Sequence, residues 1–257
     1  MMKIAIVTGA SSGLGYEMIR QLDGRTDIQE FWLIARKKER LEAIAGLIHT
    51  KVRIFTWDLS ERGSIDELEK TLKTEKPLVK LLINAAGFGK IGNYSEISRQ
   101  DCDRMIDLNC RAAVDITQAV IPYMKGGSHI MEVCSSSAYM PVPYLNVYAA
   151  TKVFLLHYSR ALRKELLPQG ILVTAVCPYW IRDTEFIAKA QKSENSSYIR
   201  HFPMATWSRD VAAGAIRDTY YGHAVSTPGL FCTLQRIFSR FFATDALLEM
   251  WELIRRL

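Results

Sequence analysis

At 257 residues the chain is long enough to bury one large core without requiring a second, and 49% hydrophobic with 23% charged residues and only 8 prolines excludes a disordered or low-complexity polypeptide. No apolar run approaches the roughly 18 residues of a membrane span, and the apolar start at 4–7 is broken by Gly9, too short for a signal-peptide core, so the chain is expected to be cytoplasmic. The net charge of +6 fits an anionic cofactor, acidic lipid or nucleic acid and alone selects none, while five scattered cysteines and five scattered histidines lack metal-ligand spacing, so no metal is expected.

The first apolar run, 3–7, reads as a strand and enters the turn Thr8-Gly9-Ala10-Ser11-Ser12-Gly13-Leu14-Gly15, after which Met18, Ile19 and Leu22 recur at helical spacing. Glycines in such a turn permit a tight reversal and a close backbone approach to a pyrophosphate at a helix N-terminus. Gly9, Ser11, Ser12, Gly13, Leu14 and Gly15 are therefore candidate phosphate contacts; the bland alternative is a turn that only packs helix on strand. A second strand, 31–35, ends in Ala35-Arg36-Lys37-Lys38 and leads into a helix over 37–49. An NAD site would be expected to carry an acidic residue there, whereas a guanidinium fork suits a 2′-phosphate. Arg36, with Lys37, thus points to NADP(H), unless the run is merely a solvated basic surface.

A third strand, 52–56, precedes a helix over 61–74 with Ser60 placed to cap it. A fourth, 79–83, ends in Asn84-Ala85-Ala86-Gly87, small residues that would let a nucleotide lie across a sheet edge. The helix over 99–124 carries Asn109 on an apolar face, where a satisfied structural amide is the plain alternative. The strand 129–134 runs into Ser135-Ser136-Ser137, and the helix over 147–167 sets Lys152 one turn after Tyr148. A neighbouring ammonium favours tyrosinate and lowers the phenol pKa toward working pH, which would make Tyr148 a usable acid or base. After a strand at 171–177, the stretch 185–207, with Ser193, Glu194, Asn195, Ser196 and Ser197, reads as a polar, irregular insertion over the carboxyl edge of the sheet. A helix pattern resumes after Ser208.

Strand-helix alternation with continuous β-branched strands predicts an α/β fold: a doubly wound parallel sheet in three α/β/α layers, forming one domain. We divide it into a nucleotide-binding and catalytic body at 1–228, with 185–207 as the substrate loop, and a C-terminal helical tail at 229–257.

With these motifs in this order, the chain resembles the short-chain dehydrogenase/reductase family, of Rossmann-type fold, over roughly residues 3–184. The carriers are T-G-x-x-x-G-x-G at 8–15, N-A-A-G at 84–87, Asn109 within Asp107-Leu108-Asn109, and Ser135 thirteen residues before the Tyr148-x-x-x-Lys152 pair. The resemblance implies that Tyr148 is the acid/base, that Lys152 lowers its pKa and holds the nicotinamide ribose, that Ser135 bonds the substrate oxygen, and that Asn109 anchors a relay water. It also implies adenine contacts from Asp58 and Leu59, an NADP-preferring Arg36, and nicotinamide contacts from Pro178, Ile181 and Thr184. More narrowly, Gly87-Phe88-Gly89-x-x-Gly92 is similar to a bacterial branch of varied specificity. The chain departs from the family in Pro178-Tyr179, where Pro-Gly is usual.

The function expected is an NADP-dependent carbonyl reductase or alcohol dehydrogenase for a hydrophobic small molecule, shaped by residues 139–143 and the 185–207 segment; the alternative is a catalytically silent NADP-binding sensor or scaffold. Nucleic acid is not an expected partner, because the basic residues show no aromatic-interleaved groove motif. In the tail, Ile237, Phe238, Phe241 and Trp251 alternate with Arg236 and Arg240. Such a helix can lie on an anionic membrane, but stripes of this kind more often pack on their own domain or on a partner subunit. A homodimer or homotetramer through the 99–124 and 147–167 helices is expected by resemblance.

Overall fold

Residues 4–7 are completely buried, and a run without a polar face can be covered only if helices pack on both sides of its sheet. The computed structural model has that arrangement. Strands β1 (Lys3–Thr8), β2 (Glu30–Ala35), β3 (Lys51–Thr56), β4 (Leu78–Asn84), β5 (His129–Val133), β6 (Leu172–Val176) and β7 (Val225–Ser226) form one sheet in the order β3-β2-β1-β4-β5-β6-β7, every pair parallel. The helices are α1 (Gly13–Leu22), α2 (Lys38–Ala45), α3 (Arg62–Glu75), α4 (Arg99–Ile106), α5 (Ala112–Val120), α6 (Asn146–Leu166), α7 (Glu185–Ala190), α8 (Ser208–Tyr220), α9 (Leu230–Phe238) and α10 (Thr244–Ile254). The structure describes all residues except 192–197, 200, 201, 203, 256 and 257. The polar run Ser193, Glu194, Asn195, Ser196 and Ser197 lies outside the described residues.

The period of two along each strand divides the core. Ile4 and Ile6 join Trp32 and Ile34 against α3, α5 and α6, whereas Ala5 and Val7 join Phe31 and Leu33 against α1, α2 and α8. Each fully buried Leu, Ile or Phe contributes about 1.5–3 kcal/mol relative to exposure. The chain winds outward from β1 to β3, returns to β4 beside β1, and winds the other way. That reversal opens a crevice at the carboxyl ends of the strands.

Several local expectations are corrected. The helix over 99–124 is not continuous: α4, capped by the Ser98 hydroxyl accepting from the Asp101 amide at 3.0 Å, passes through a π-helical turn at Asp107–Arg111 into α5. Ser60 does not cap α3. Glu61 holds that position without a capping bond, and the Ser60 hydroxyl donates instead to Asp58 at 2.6 Å. The 185–207 stretch is not wholly irregular, since its start forms α7. No helix among the described residues is long and apolar enough to cross a membrane.

Candidate active site

The carboxyl ends of the central strands open onto a cleft of about 290 Å³. One end is the glycine turn, where the backbone leaves no room for side chains. Gly9 adopts φ +65°, and a Cβ there would come within 2.8 Å of the Ala85 carbonyl and the Ala86 amide. At Gly15 a Cβ would lie 2.6 Å from the Gly9 oxygen. The Ala85 and Ala86 amides both donate to Thr8 Oγ1 at 3.1 Å, which ties the turn to the end of β4. No side chain caps the first turn of α1, so its N–H groups remain for an anion. Ser11, Ser12, Gly13 and Leu14 line this wall with Ala85, Ala86 and Gly87.

Arg36 and Lys37 stand on the same cleft at the end of β2. Arg36 Nη1 is 3.5 Å from Asp58 Oδ2. Burial pushes the Asp58 carboxyl up, but hydrogen bonds from Ser60 and the Arg36 charge outweigh it and hold Asp58 below the usual carboxylate range. Leu59 lines the cleft beside it. Arg40, which sequence reasoning missed, also lines it and pairs with Glu185 at 2.8 Å, joining α2 to α7. Asn84 does not line it. Its side chain turns under the sheet edge, donating at 2.9 Å to both Glu132 Oε1 and Thr117 Oγ1.

At the other end of the cleft the structure brings Ser135, Tyr148 and Lys152 together. Ser135 and Tyr148 line the same stretch of the cleft, and the Ser135 hydroxyl accepts from the Ser137 amide at 3.1 Å. Lys152 donates to the Val133 carbonyl at 2.7 Å, with Nζ 5.6 Å from the Tyr148 ring centroid. The expected lowering of the phenol pKa is not what this environment produces. Burial pushes Tyr148 up, the nearby Ser135 hydroxyl only partly opposing it, and burial also pulls the Lys152 ammonium down. Asn109, in the π-helical turn, is spent on structure: Oδ1 accepts from the Phe88 amide at 3.1 Å, and Nδ2 donates to the Phe88 carbonyl at 2.9 Å and to Thr151 at 3.0 Å.

Pro178, Ile181 and Thr184 line the cleft opposite the glycine turn, with the Thr184 methyl 3.5 Å from where a Gly13 Cβ would stand. Beyond Tyr148 the walls are apolar. Phe186 of α7 stacks at a tilt 5.3 Å from the Tyr148 ring, and Trp180 lies 6.4 Å from Phe186. A Cβ on Gly89 would meet the Tyr148 ring at 2.9 Å. Of residues 139–143, Val142 reaches the cleft. The tail supplies two further wall residues that sequence reasoning did not find, Gln235 of α9 and Trp251 of α10. Their signal, the inward spacing of Phe231, Cys232 and Gln235, is hidden among outward apolar residues.

With this geometry in place, the comparisons with known proteins are direct. The family model for short chain dehydrogenases matches residues 3–195. The chain belongs to the short-chain dehydrogenase family. It is 29% identical over 178 residues to an uncharacterized oxidoreductase of Staphylococcus epidermidis, covering 68% of this chain and 76% of that one. A short-chain dehydrogenase from Sphingobium yanoikuyae, solved in complex with NADPH, superposes with a TM-score of 0.79 at 26% identity, over 97% of this chain and 94% of that one. A bulky-bulky ketone specific alcohol dehydrogenase from Comamonas testosteroni superposes with a TM-score of 0.75 at 25% identity, over 94% and 93%. As a short-chain dehydrogenase, the chain is an NAD(P)-dependent oxidoreductase acting on alcohol and carbonyl groups.

Proposed function

We propose that this short-chain dehydrogenase uses NADP(H) to interconvert a carbonyl and an alcohol on a hydrophobic small molecule, with Tyr148 as the acid/base. One observation carries the reading: Ser135, Tyr148 and the Lys152 ammonium meet in the same cleft as the glycine turn and Arg36.

The residues fit the dinucleotide. The uncapped first turn of α1 would hold the pyrophosphate, Arg36 and Lys37 the 2′-phosphate, and Asp58 with Leu59 the adenine side; the NADPH complex of the Sphingobium relative supports this choice. Pro178, Ile181 and Thr184 would border the nicotinamide. The chemistry that the group supplies when bound is hydride transfer. The chain supplies the proton. A phenol holds its proton at neutral pH, the state required to protonate an oxygen during reduction, and burial of Tyr148 strengthens that preference. Ser135 orients the phenol and faces the substrate oxygen, while Lys152 places positive charge where tyrosinate would form. Asn109 ties the Phe88 backbone to the Thr151 hydroxyl, and from that fixed position it would anchor a relay water. Trp180, Phe186 and Trp251 exclude water and select apolar substrates. A homodimer through α4, α5 and α6 is part of the same reading; Ile106 and Phe154 stand exposed there.

The test combines nucleotide titration with turnover on a panel of hydrophobic aldehydes and ketones. Tyr148→Phe is expected to lower turnover by about a hundredfold or more while leaving NADPH affinity nearly unchanged. Retained turnover removes Tyr148 from the role. Arg36→Ala is expected to erase about tenfold of preference for NADPH over NADH, about 1.4 kcal/mol; equal affinity of the unaltered chain for both nucleotides overturns the NADP assignment.

A further inference from the structure

Helix α9 is apolar on both sides, which a helix packed on its own domain does not need. Its inner side closes the site: Phe231 lies 4.4 Å from the Tyr179 ring, Cys232 is fully buried, and Gln235 donates to the Ser136 carbonyl at 3.4 Å. Its outer side carries Leu230, Leu234, Ile237 and Phe238, spaced as one helical stripe, and Phe241 follows in the turn after the helix. These stand 41–79% exposed, with Phe242 beside Phe238 at 5.9 Å between rings. A contiguous exposed stripe of this size marks an interaction surface.

Charge points to the partner. The exposed arginine beside this stripe is Arg240, just past the end of the helix, whereas Arg236 is half-buried and falls on the inner side with Cys232 and Gln235. The start of the helix adjoins a second aromatic-basic pair: the Gly229 Cβ position lies 3.5 Å from Thr206, and the next residue, Trp207, is 53% exposed with Arg182 stacked 5.2 Å from its ring. An anionic bilayer answers both halves of the surface: its headgroups take the guanidinium groups and its interfacial region takes the Leu and Phe side chains.

We propose that the outer face of α9, with Trp207 at its start, docks on an anionic lipid surface. The helix that would lie on lipid is the one whose opposite side lines the cleft at Gln235. A substrate dissolved in the bilayer would then meet the site without crossing water; this last step rests on the carbonyl-reductase reading above, the docking itself does not.

The test is flotation of the full chain with phosphatidylcholine vesicles, with and without phosphatidylglycerol. Co-flotation with the phosphatidylglycerol vesicles alone, weakened by salt and by Arg240→Glu, is the expected result. The double variant Phe238→Ser, Phe241→Ser is expected to partition at least about tenfold more weakly. Its NADPH affinity and thermal unfolding should match the unaltered chain, which separates lost docking from lost fold. Absence of co-flotation, or equal flotation of the double variant, overturns the proposal. So does an oligomer in sedimentation equilibrium that the double variant abolishes without any lipid binding, since the occupant is then a second copy. Neither readout depends on turnover, so failure here leaves the Tyr148 experiment to stand or fall separately.

Discussion

Glu132 is fully buried on β5, directly before Val133, the residue whose carbonyl holds Lys152. Its Oε1 accepts from Asn84 and Thr117, each at 2.9 Å, while Oε2 has no hydrogen-bond partner among the described residues. Burial outweighs these hydrogen bonds and the nearby Lys152 charge and pushes the carboxyl up to about 7. A raised folded-state pKa means that the folded chain keeps the proton where the unfolded chain has lost it. The stabilisation is therefore complete below the ordinary carboxylate pKa of about 4.5 and is lost as pH rises through about 7. Stability of the unaltered chain is expected to fall over that window by something on the order of 3 kcal/mol at most. Glu132→Gln, which copies the protonated shape, should flatten the decline and exceed the unaltered chain above neutrality in urea unfolding at several pH values. Superimposable curves would show that Glu132 does not titrate there. At this scale, the Ser135, Tyr148 and Lys152 spacing was legible because helical and strand geometry follow directly from position. The direction of the phenol shift was not, because it depends on burial by Phe186 and on the packing around Gly89, which are distant in sequence. The direction of the Asn84 side chain is hidden for the same reason: its motif lies at the sheet edge, but its side chain answers to Glu132, 48 residues away.

Among the elements, the π-helical turn at Asp107–Arg111 shows what periodicity conceals. Residues 99–124 carry one apolar pattern, and nothing in it announces a widened turn that aims Asn109 at Phe88. The turn exists because the Asn109 amide satisfies both backbone groups of Phe88 and the Thr151 hydroxyl at once. Asn109→Ala leaves a buried donor and acceptor unpaired and is expected to cost about 2–3 kcal/mol, measured as a fall of several degrees in thermal unfolding. An unchanged Tm would mean that the segment holds its shape without the side chain. Ser60 illustrates the opposite error. It precedes a helix as a cap should, yet Asp58 is the nearer acceptor, and that bond keeps Asp58 in place beside Arg36.

For the whole molecule, the sheet was readable because buried parallel strands are continuous apolar runs bounded by turns. β7 escaped because it has two residues; the helical tail was legible, but not the side on which it packs, because its two apolar sides give no single facing direction. In the folded chain the tail closes the cleft: Trp251 forms part of the wall, and Arg255 lies 4.3 Å over the Tyr144 ring. On the proposed reading, Trp251→Ala is expected to raise KM for bulky apolar carbonyl compounds by about tenfold, with NADPH affinity unchanged. Equal KM values would place the substrate elsewhere in the cleft. The β1 strand, paired with β2 on one side and β4 on the other, has a further consequence in time. The hydroxyl of Thr8 must wait for amides at 85 and 86, and Ser136 for the carbonyl of Pro178. The N-terminal third of the chain therefore emerges from the ribosome with its central strand half paired, and folding is governed by slow, long-range closure. A nascent chain cannot acquire its cleft piecemeal, and a nucleotide that binds only the finished cleft would act as a late thermodynamic latch on the whole sheet.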